Sequence, residues 1–312
     1  MLSLPDFKYK QILVHFAGDS GEKIHLRNDN IVISDANRAT IVQHSLYRLF
    51  ALFIVGETSI STPFLQNARK FGFPIILLKR NLAPFVQINC RSNGNTSLRR
   101  LQYTMPNEKK TEIAKSIIRQ KIDHQIELLS NLPYKSVKDI IAISRLKSLD
   151  LTPTKNVQEI MGVEGIASRE FFNSYFRNLD WSGRFPREKP DSTNLLLDIG
   201  YTYLFNFIDA MTAFYGFDSY VGFLHQTFYQ RKSLVCDLME PFRHVIDKTI
   251  RKLHEHNQII QKDFKLQNGK IQLDFESAKK YTRHFLKGIL AEKEDIFRWC
   301  QNFYRGLDST CC

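Results

Sequence analysis

Between Gly216 and Arg243 the chain reads GFDSYVGFLHQTFYQRKSLVCDLMEPFR, which sets a histidine and two acids in apolar surroundings. His225 follows Val221, Gly222, Phe223 and Leu224, so its imidazole hangs at the edge of an apolar run where Leu or Phe is the ordinary choice. Beyond Arg231 and Lys232, Ser233 is placed to cap a helix in which Leu234, Val235, Leu238, Met239 and Phe242 recur at helical spacing. Asp237 and Glu240 stand three apart on it. That spacing puts both carboxylates on one face, where they repel unless a cation, a histidine or an arginine lies between them. Pro241 interrupts the helix directly after Glu240 and fixes where the second acid points. The stretch reads as an active-site cassette; the alternative is a hydrogen-bonded core histidine beside solvated acids, and a further ligand elsewhere would decide between them.

Such a candidate lies in NVQEIMGVEGIASREFFNSYF, Asn156 to Phe176, where Ile160, Val163, Ala167, Phe171 and Phe172 are spaced for a largely buried helix. Glu164 sits between Val163 and Gly165 in its least polar part, where an unpaired carboxylate is expensive to bury. Gly165 weakens the helix by about 1 kcal/mol relative to Ala, which makes sense if another backbone or a ligand approaches closely.

The elements that must hold these residues fall into two halves. Through residue 90, KQILVHFAG, KIHLRNDNIVISD and ATIVQHSLYRLFALFIVGE have β character, with Asn28, Asp29 and Asn30 at a hairpin corner. TSISTPFLQNARKFG, Thr58 to Gly72, predicts one helix with Pro63 in its first turn and Gly72 as its stop, and IILLKR and PFVQINC add two short strands. The expected fold is therefore α+β: a small N-terminal β-sheet domain over 1–90 with one inserted helix, a polar linker over 91–97, and a larger all-α domain over 98–312. The helical part ends in amphipathic segments, with NGK at Asn268 to Lys270 marking a small turn beside a short strand.

With 312 residues, 44 basic side chains stand against 32 acidic ones, a net charge of +12 that favours a polyanionic partner, nucleic acid first. From Arg99 to Lys121 there are seven basic residues and two acids, a run that serves equally as a solvated helix face or as a phosphate-contacting one. Arg231, Lys232 and Arg243 beside the cassette are candidates for DNA phosphates, with Arg99 and Arg100 weaker ones. Tyr175, Tyr201, Tyr220 and Tyr229 could stack on bases, although their helical spacing suits a core better. Five cysteines without C-x-x-C spacing, no apolar leader and no apolar run of membrane length point to a reducing cytoplasm. The adjacent cysteines at the end do not form a prenylation box. No Walker loop, Rossmann glycine fingerprint or H-E-x-x-H pair supports ATP, NAD or zinc-protease chemistry.

Four motifs in order, MGVEGIASREFF, NLLLDIGYTYLF, GFDSYVGFLHQ and KSLVCDLMEPFR, resemble those of the CRISPR-associated adaptation endonuclease and integrase family, "Cas-one". VGETSISTPFLQNARKFGFPIILL and NGNTSLRRLQY extend the resemblance over most of the chain. Three positions depart from the family pattern: Phe217 and Ser219 replace a common Leu and Pro, and Glu240 stands where many members have Asp. The resemblance implies that Glu164, His225 and Glu240 bind a divalent metal, with Asp237 as a supporting acid. It further implies attack by the 3′-hydroxyl of a DNA fragment on a phosphodiester, which inserts that fragment into a CRISPR array, with water in the same role giving nicking. The partners it implies are double-stranded DNA, a second copy in a homodimer formed by the N-terminal domain, and the small protein "Cas-two". Carboxylates with one neutral imidazole suit Mn²⁺ and tolerate Mg²⁺, and the absence of sulfur ligands argues against structural zinc. The competing expectation is a non-catalytic DNA-binding scaffold in which Glu164, His225 and Glu240 form only a buried polar network.

Overall fold

The computed structural model describes all residues except 1–2, 19–20, 90–93, 178, 180, 182, 187, 268 and 309–312. The α+β fold is observed: strands dominate the N-terminal region and helices the rest. The chain begins with α1 (Leu4–Lys8), closed by a capping box between Ser3 and Asp6. Strands β1 (Gln11–Ala17), β2 (Lys23–Arg27), β3 (Asn30–Ser34) and β4 (Thr40–Ser45) follow, then a 3-10 turn and β5 (Leu49–Gly56), α2 (Thr62–Phe71), β6 (Ile75–Leu78) and β7 (Pro84–Ile88).

Two sheets share this work. β2, β3 and β4 form an antiparallel meander, whose first corner is Asn28 and Asp29 at positive φ, as a tight hairpin requires. The other sheet has the order β1-β5-β6-β7, parallel except for β7. Its central strand β5, LFALFIVG, is apolar and buried on both faces until its final glycine, the pattern of an interior parallel strand. Gly56 closes that strand at φ 98°, with Ala17 O only 2.4 Å from where a Cβ would stand. Helix α2 carries Pro63 in its first turn and ends on Gly72 at φ 66°, so both punctuation residues act as their chemistry predicts.

The helical part comprises α3 (Thr96–Thr104), α4 (Asn107–Ser130), α5 (Val137–Ser148), α6 (Val157–Tyr175), α7 (Ser192–Tyr215), α8 (Ser233–Met239), a 3-10 turn Glu240–Phe242 and α9 (Arg243–Glu255). The hairpin β8 (Phe264–Gln267) and β9 (Lys270–Leu273) interrupts it before α10 (Phe275–Ala291) and α11 (Lys293–Asp308).

Compactness divides the chain differently from the expected 1–90 and 98–312. One unit contains Met1–Asn95 together with Asp209–Phe217 and Asp274–Cys312; the other contains Thr96–Ile208 and Asp218–Leu273. The last two helices therefore belong with the sheets. Phe7 stacks on Phe297 at 4.5 Å, Phe16 meets Phe275 edge-on at 5.7 Å, and Lys293 Nζ donates to the carbonyls of Lys8 and Lys10 at 2.6 and 2.7 Å, closing the end of α1. Residues 91–93 of the expected linker lie outside the described residues.

Candidate active site

The site is built within the unit Thr96–Ile208 and Asp218–Leu273. Its loop is held from two sides. Gln102 of α3, fully buried, donates to the carbonyls of Asp218 and Val221 at 3.2 and 3.3 Å and accepts from Asp218 N at 2.9 Å; Tyr103 donates to the Asp218 carboxylate at 2.7 Å. On the other side Asp237, with no exposed surface, gathers the turn that ends at His225. Its Oδ2 accepts from the backbone N–H of Phe223 and Leu224 at 2.5 and 2.9 Å, and its Oδ1 from the N–H of His225 at 2.9 Å. The same Oδ1 lies 2.7 Å from His225 Nδ1. A carboxylate at Nδ1 holds the proton there and leaves Nε2 as the lone-pair nitrogen. Gly222 makes the arrangement possible, since a Cβ there would stand 2.7 Å from Asp237 Oδ2 and 2.9 Å from both His225 O and Ser233 C.

Helix α8 starts one residue from the expected cap. Lys232 is the N-cap and Ser233 the first helical residue, its hydroxyl donating to Gln226 O at 3.0 Å, because the loop it closes is the stronger demand on that side chain. Pro241 acts as expected: α8 stops at Met239, Glu240 opens a 3-10 turn, and α9 resumes at Arg243. His124 and His244 both present Nδ1 to the carbonyl of Pro241, at 2.6 and 2.8 Å, with ring centroids 4.1 Å apart.

Asp237 and Glu240, expected on one helix face, take separate partners. Glu240 is buried; its Oε2 accepts a hydrogen bond from Lys121 Nζ at 2.7 Å and forms an ion pair with Arg243, whose Nε lies 3.0 Å away without making a hydrogen bond. Lys121 also donates to Glu164 Oε1, which accepts Ser168 Oγ at 2.7 Å as well. One ammonium thus joins carboxylates from α6 and from the 3-10 turn. Burial works to raise the Glu240 pKa, but Arg243 and Lys121 outweigh it and bring it down to about 2, with His225 adding in the same direction. Burial opposes the charge on Lys121, yet Glu240 and Glu164 hold its pKa above the ordinary lysine value. Behind Arg243, whose guanidinium lies over the Tyr201 ring at 4.6 Å, Tyr201 donates to Asp247 at 2.5 Å. Burial raises the Asp247 pKa to about 7 against the pull of Tyr201 and Arg243.

Glu164 and Glu240 are therefore brought together, and His225 is oriented by Asp237. Among the described residues, no group of three His, Cys, Asp or Glu side chains stands at metal-binding distance from a common point. The residues nonetheless fit a divalent ion in kind: two carboxylates already share a cation, and an imidazole is oriented by a carboxylate behind it. Gly165 is exposed with nothing within 4 Å, so the close approach of another part of the chain expected there is not what its small size serves.

Of the candidate phosphate contacts, Arg100 is exposed on α3, Arg99 is half-buried, Arg231 is half-buried, and Lys232 is half-buried at the start of α8. Arg243 departs from expectation: its charge is committed internally to Glu240 and Tyr201 because the turn at Pro241 directs it inward. Tyr175 and Tyr201 are core residues, whereas Tyr220 and Tyr229 are exposed. Lys121, grouped by sequence with the basic run, is the site residue that reading missed. Its signal was present: it falls among Ala114, Ile117, Ile118, Ile122 and Gln125 on the buried stripe of α4.

The family model described as CRISPR associated protein Cas1 matches residues 16–287. A CRISPR-associated endonuclease Cas1 from Archaeoglobus fulgidus is 26% identical over 303 residues, covering 88% of this chain and 86% of the relative. A Cas1 protein from Thermotoga maritima has the same fold at TM-score 0.80 and 18% identity, covering 95% of this chain and 96% of that one. A casposase bound to integration product aligns at TM-score 0.78 and 22% identity over 96% and 91% of the two chains. A chain of a Cas6-RT-Cas1 and Cas2 complex aligns at TM-score 0.78 and 23% identity, over 97% of this chain and 35% of that chain. Among the described residues no helix is long and apolar enough to cross a membrane.

Proposed function

The chain belongs to the Cas1 family of CRISPR-associated proteins, and from that premise we propose that it is a divalent-metal-dependent DNA endonuclease and integrase that inserts foreign fragments into a CRISPR array. The observation that carries the reading is the meeting of Glu164 and Glu240, from distant parts of the chain, on one cation beside a carboxylate-oriented imidazole. Glu164, Glu240 and the Nε2 of His225 are the groups that would hold Mg²⁺ or Mn²⁺. Bound there, the ion supplies Lewis acidity to a phosphodiester oxygen during in-line displacement. Asp237 keeps the Nδ1 proton in place and the loop in register, so its contribution is positioning. The attacking group is the 3′-hydroxyl of the incoming fragment for strand transfer, or water for nicking.

Double-stranded DNA, a second copy of the chain and Cas2 are the proposed partners. The Archaeoglobus fulgidus relative is named an endonuclease, and structures of like fold are a casposase bound to integration product and a complex containing Cas2. Arg100 and the exposed part of α3 offer charge for phosphate, which orients DNA without reading its sequence.

A second reading has its own support. Lys121 and Arg243 neutralise Glu164 and Glu240 internally, as a purely structural network would require. The test incubates the purified chain with a short duplex and a repeat-bearing plasmid, with Mn²⁺ and with chelator. Metal-dependent joining that disappears in Glu164→Ala and in His225→Ala is the expected outcome. Undiminished joining in both variants would remove the proposed site, and tight DNA binding without any joining would favour the scaffold.

A further inference from the structure

Lys121 occupies an unusual place for a lysine. It is 7% exposed, it lies on the apolar stripe of a 24-residue helix, and its ammonium touches two carboxylates that are otherwise separate. Each carboxylate spends a single oxygen on its partners: Oε1 of Glu164 takes Lys121 and Ser168, and Oε2 of Glu240 takes Lys121 and Arg243. Two carboxylates here balance two cations. A dication entering among the same carboxylates would meet an ammonium already in place, and like charges at such range are strongly unfavourable in a buried site.

We propose that Lys121 is a resident cation that holds Glu164 and Glu240 together while no divalent ion is present and withdraws when one binds, so that metal affinity is set by competition with the chain's own ammonium. The inference rests on the divalent-metal reading above and adds the residue that opposes loading. Two observations make the exchange feasible. Lysine carries a compact charge on a flexible four-carbon stem, so the head can move without moving the helix. Glu164 is a quarter exposed whereas Glu240 is nearly sealed, which makes the Glu164 side the open end of the pair. Arg243, clamped between Glu240 and the Tyr201 ring, has no equivalent freedom and keeps one countercharge in place throughout.

Calorimetric titration of the metal-free full chain with Mn²⁺, in the absence of DNA, tests the competition. Lys121→Met should bind Mn²⁺ at least about tenfold more tightly than the wild type, a coupling within the ordinary range for linked sites. Without metal the same variant should melt lower, because two buried carboxylates lose their shared cation, and saturating Mn²⁺ should close the gap. Equal or weaker binding by the variant would overturn the inference while leaving the metal site intact. Absence of binding by wild type and variant alike would overturn the metal reading and this inference with it. If Lys121→Met fails to fold, Lys121→Gln keeps a donor without the charge and answers the same question. An independent measurement uses the wild type alone: Mn²⁺ should increase acylation of Lys121 by an amine reagent, read by mass spectrometry, and an unchanged or reduced yield counts against the exchange.

Discussion

At the scale of single residues, the site depends on one carboxylate that never needs to touch DNA. Asp237 accepts three backbone N–H groups and stands against His225 Nδ1. Asparagine has the same shape but one acceptor oxygen, and its amide would set a donor against donors. Asp237→Asn should therefore lower Mn²⁺ affinity or joining by about 10- to 100-fold, the usual cost of losing a group that orients a metal ligand. Equal Mn²⁺ titrations for variant and wild type would mean that the loop is held without it. Gly222 makes the complementary case. A methyl there meets Asp237 Oδ2, His225 O and the backbone of Ser233 all within 2.9 Å; two of these are backbone atoms and the third belongs to a carboxylate held by three backbone N–H groups. Gly222→Ala should lower unfolding free energy by about 1 to 3 kcal/mol in urea titrations, as overpacking does, and should weaken metal binding as the loop shifts. A variant as stable as the wild type would show that the turn relaxes freely.

At the scale of elements, the 3-10 turn carrying Glu240 is pinned from behind by His124 and His244 on one carbonyl. Burial, reinforced by His124, pushes the His244 pKa down to about 4 from an ordinary 6.5. Between those values the unfolded chain takes a proton that the native imidazole refuses, so native stability falls as pH drops through the window, by on the order of 3 kcal/mol at most. Asp247, raised to about 7, contributes with the opposite sign over much of the same range, so the informative quantity is a difference between proteins. The stability of His244→Gln relative to the wild type should improve from pH 7 to pH 4.5 in denaturant titrations; a constant difference would clear His244. The same turn shows what was legible beforehand. Pro241 ending α8, Gly72 ending α2 and Asn28 with Asp29 at the hairpin corner follow from backbone chemistry that each residue carries by itself. Glu164 and His225 stood out because a charged or polar side chain in an apolar run needs a partner. The partner was not readable. Lys121 lies 43 residues from Glu164 and 119 from Glu240, and nothing local tells a lysine on an apolar stripe which carboxylates it meets. The assignment of α10 and α11 to the sheet-bearing unit was hidden for the same reason, since an amphipathic face states that it will be covered and not by what.

For the molecule as a whole, the net charge of +12 is the property most directly tied to a polyanionic partner, but the charges divide into two populations with different consequences. Arg100 is exposed on α3, whereas Arg243 is held by Glu240 and by the Tyr201 ring. An exposed arginine that neutralises one phosphate releases counterions, so its loss reduces the slope of log K against log salt by about 0.9 as well as weakening binding. An internal arginine has no phosphate to release. Arg100→Ala should therefore flatten the salt dependence of duplex binding by about one counterion and leave the melting temperature nearly unchanged. Arg243→Ala should do the reverse, keeping the salt slope while lowering stability by on the order of 2 kcal/mol, because Glu240 loses one of its two countercharges in a sealed position. Fluorescence anisotropy with a labelled duplex over a salt series, paired with thermal melts of the same two variants, separates the populations. A reduced salt slope for Arg243→Ala would mean that its guanidinium leaves Glu240 for DNA, and the countercharge assigned to Arg243 beside Glu240 would then have to be redrawn.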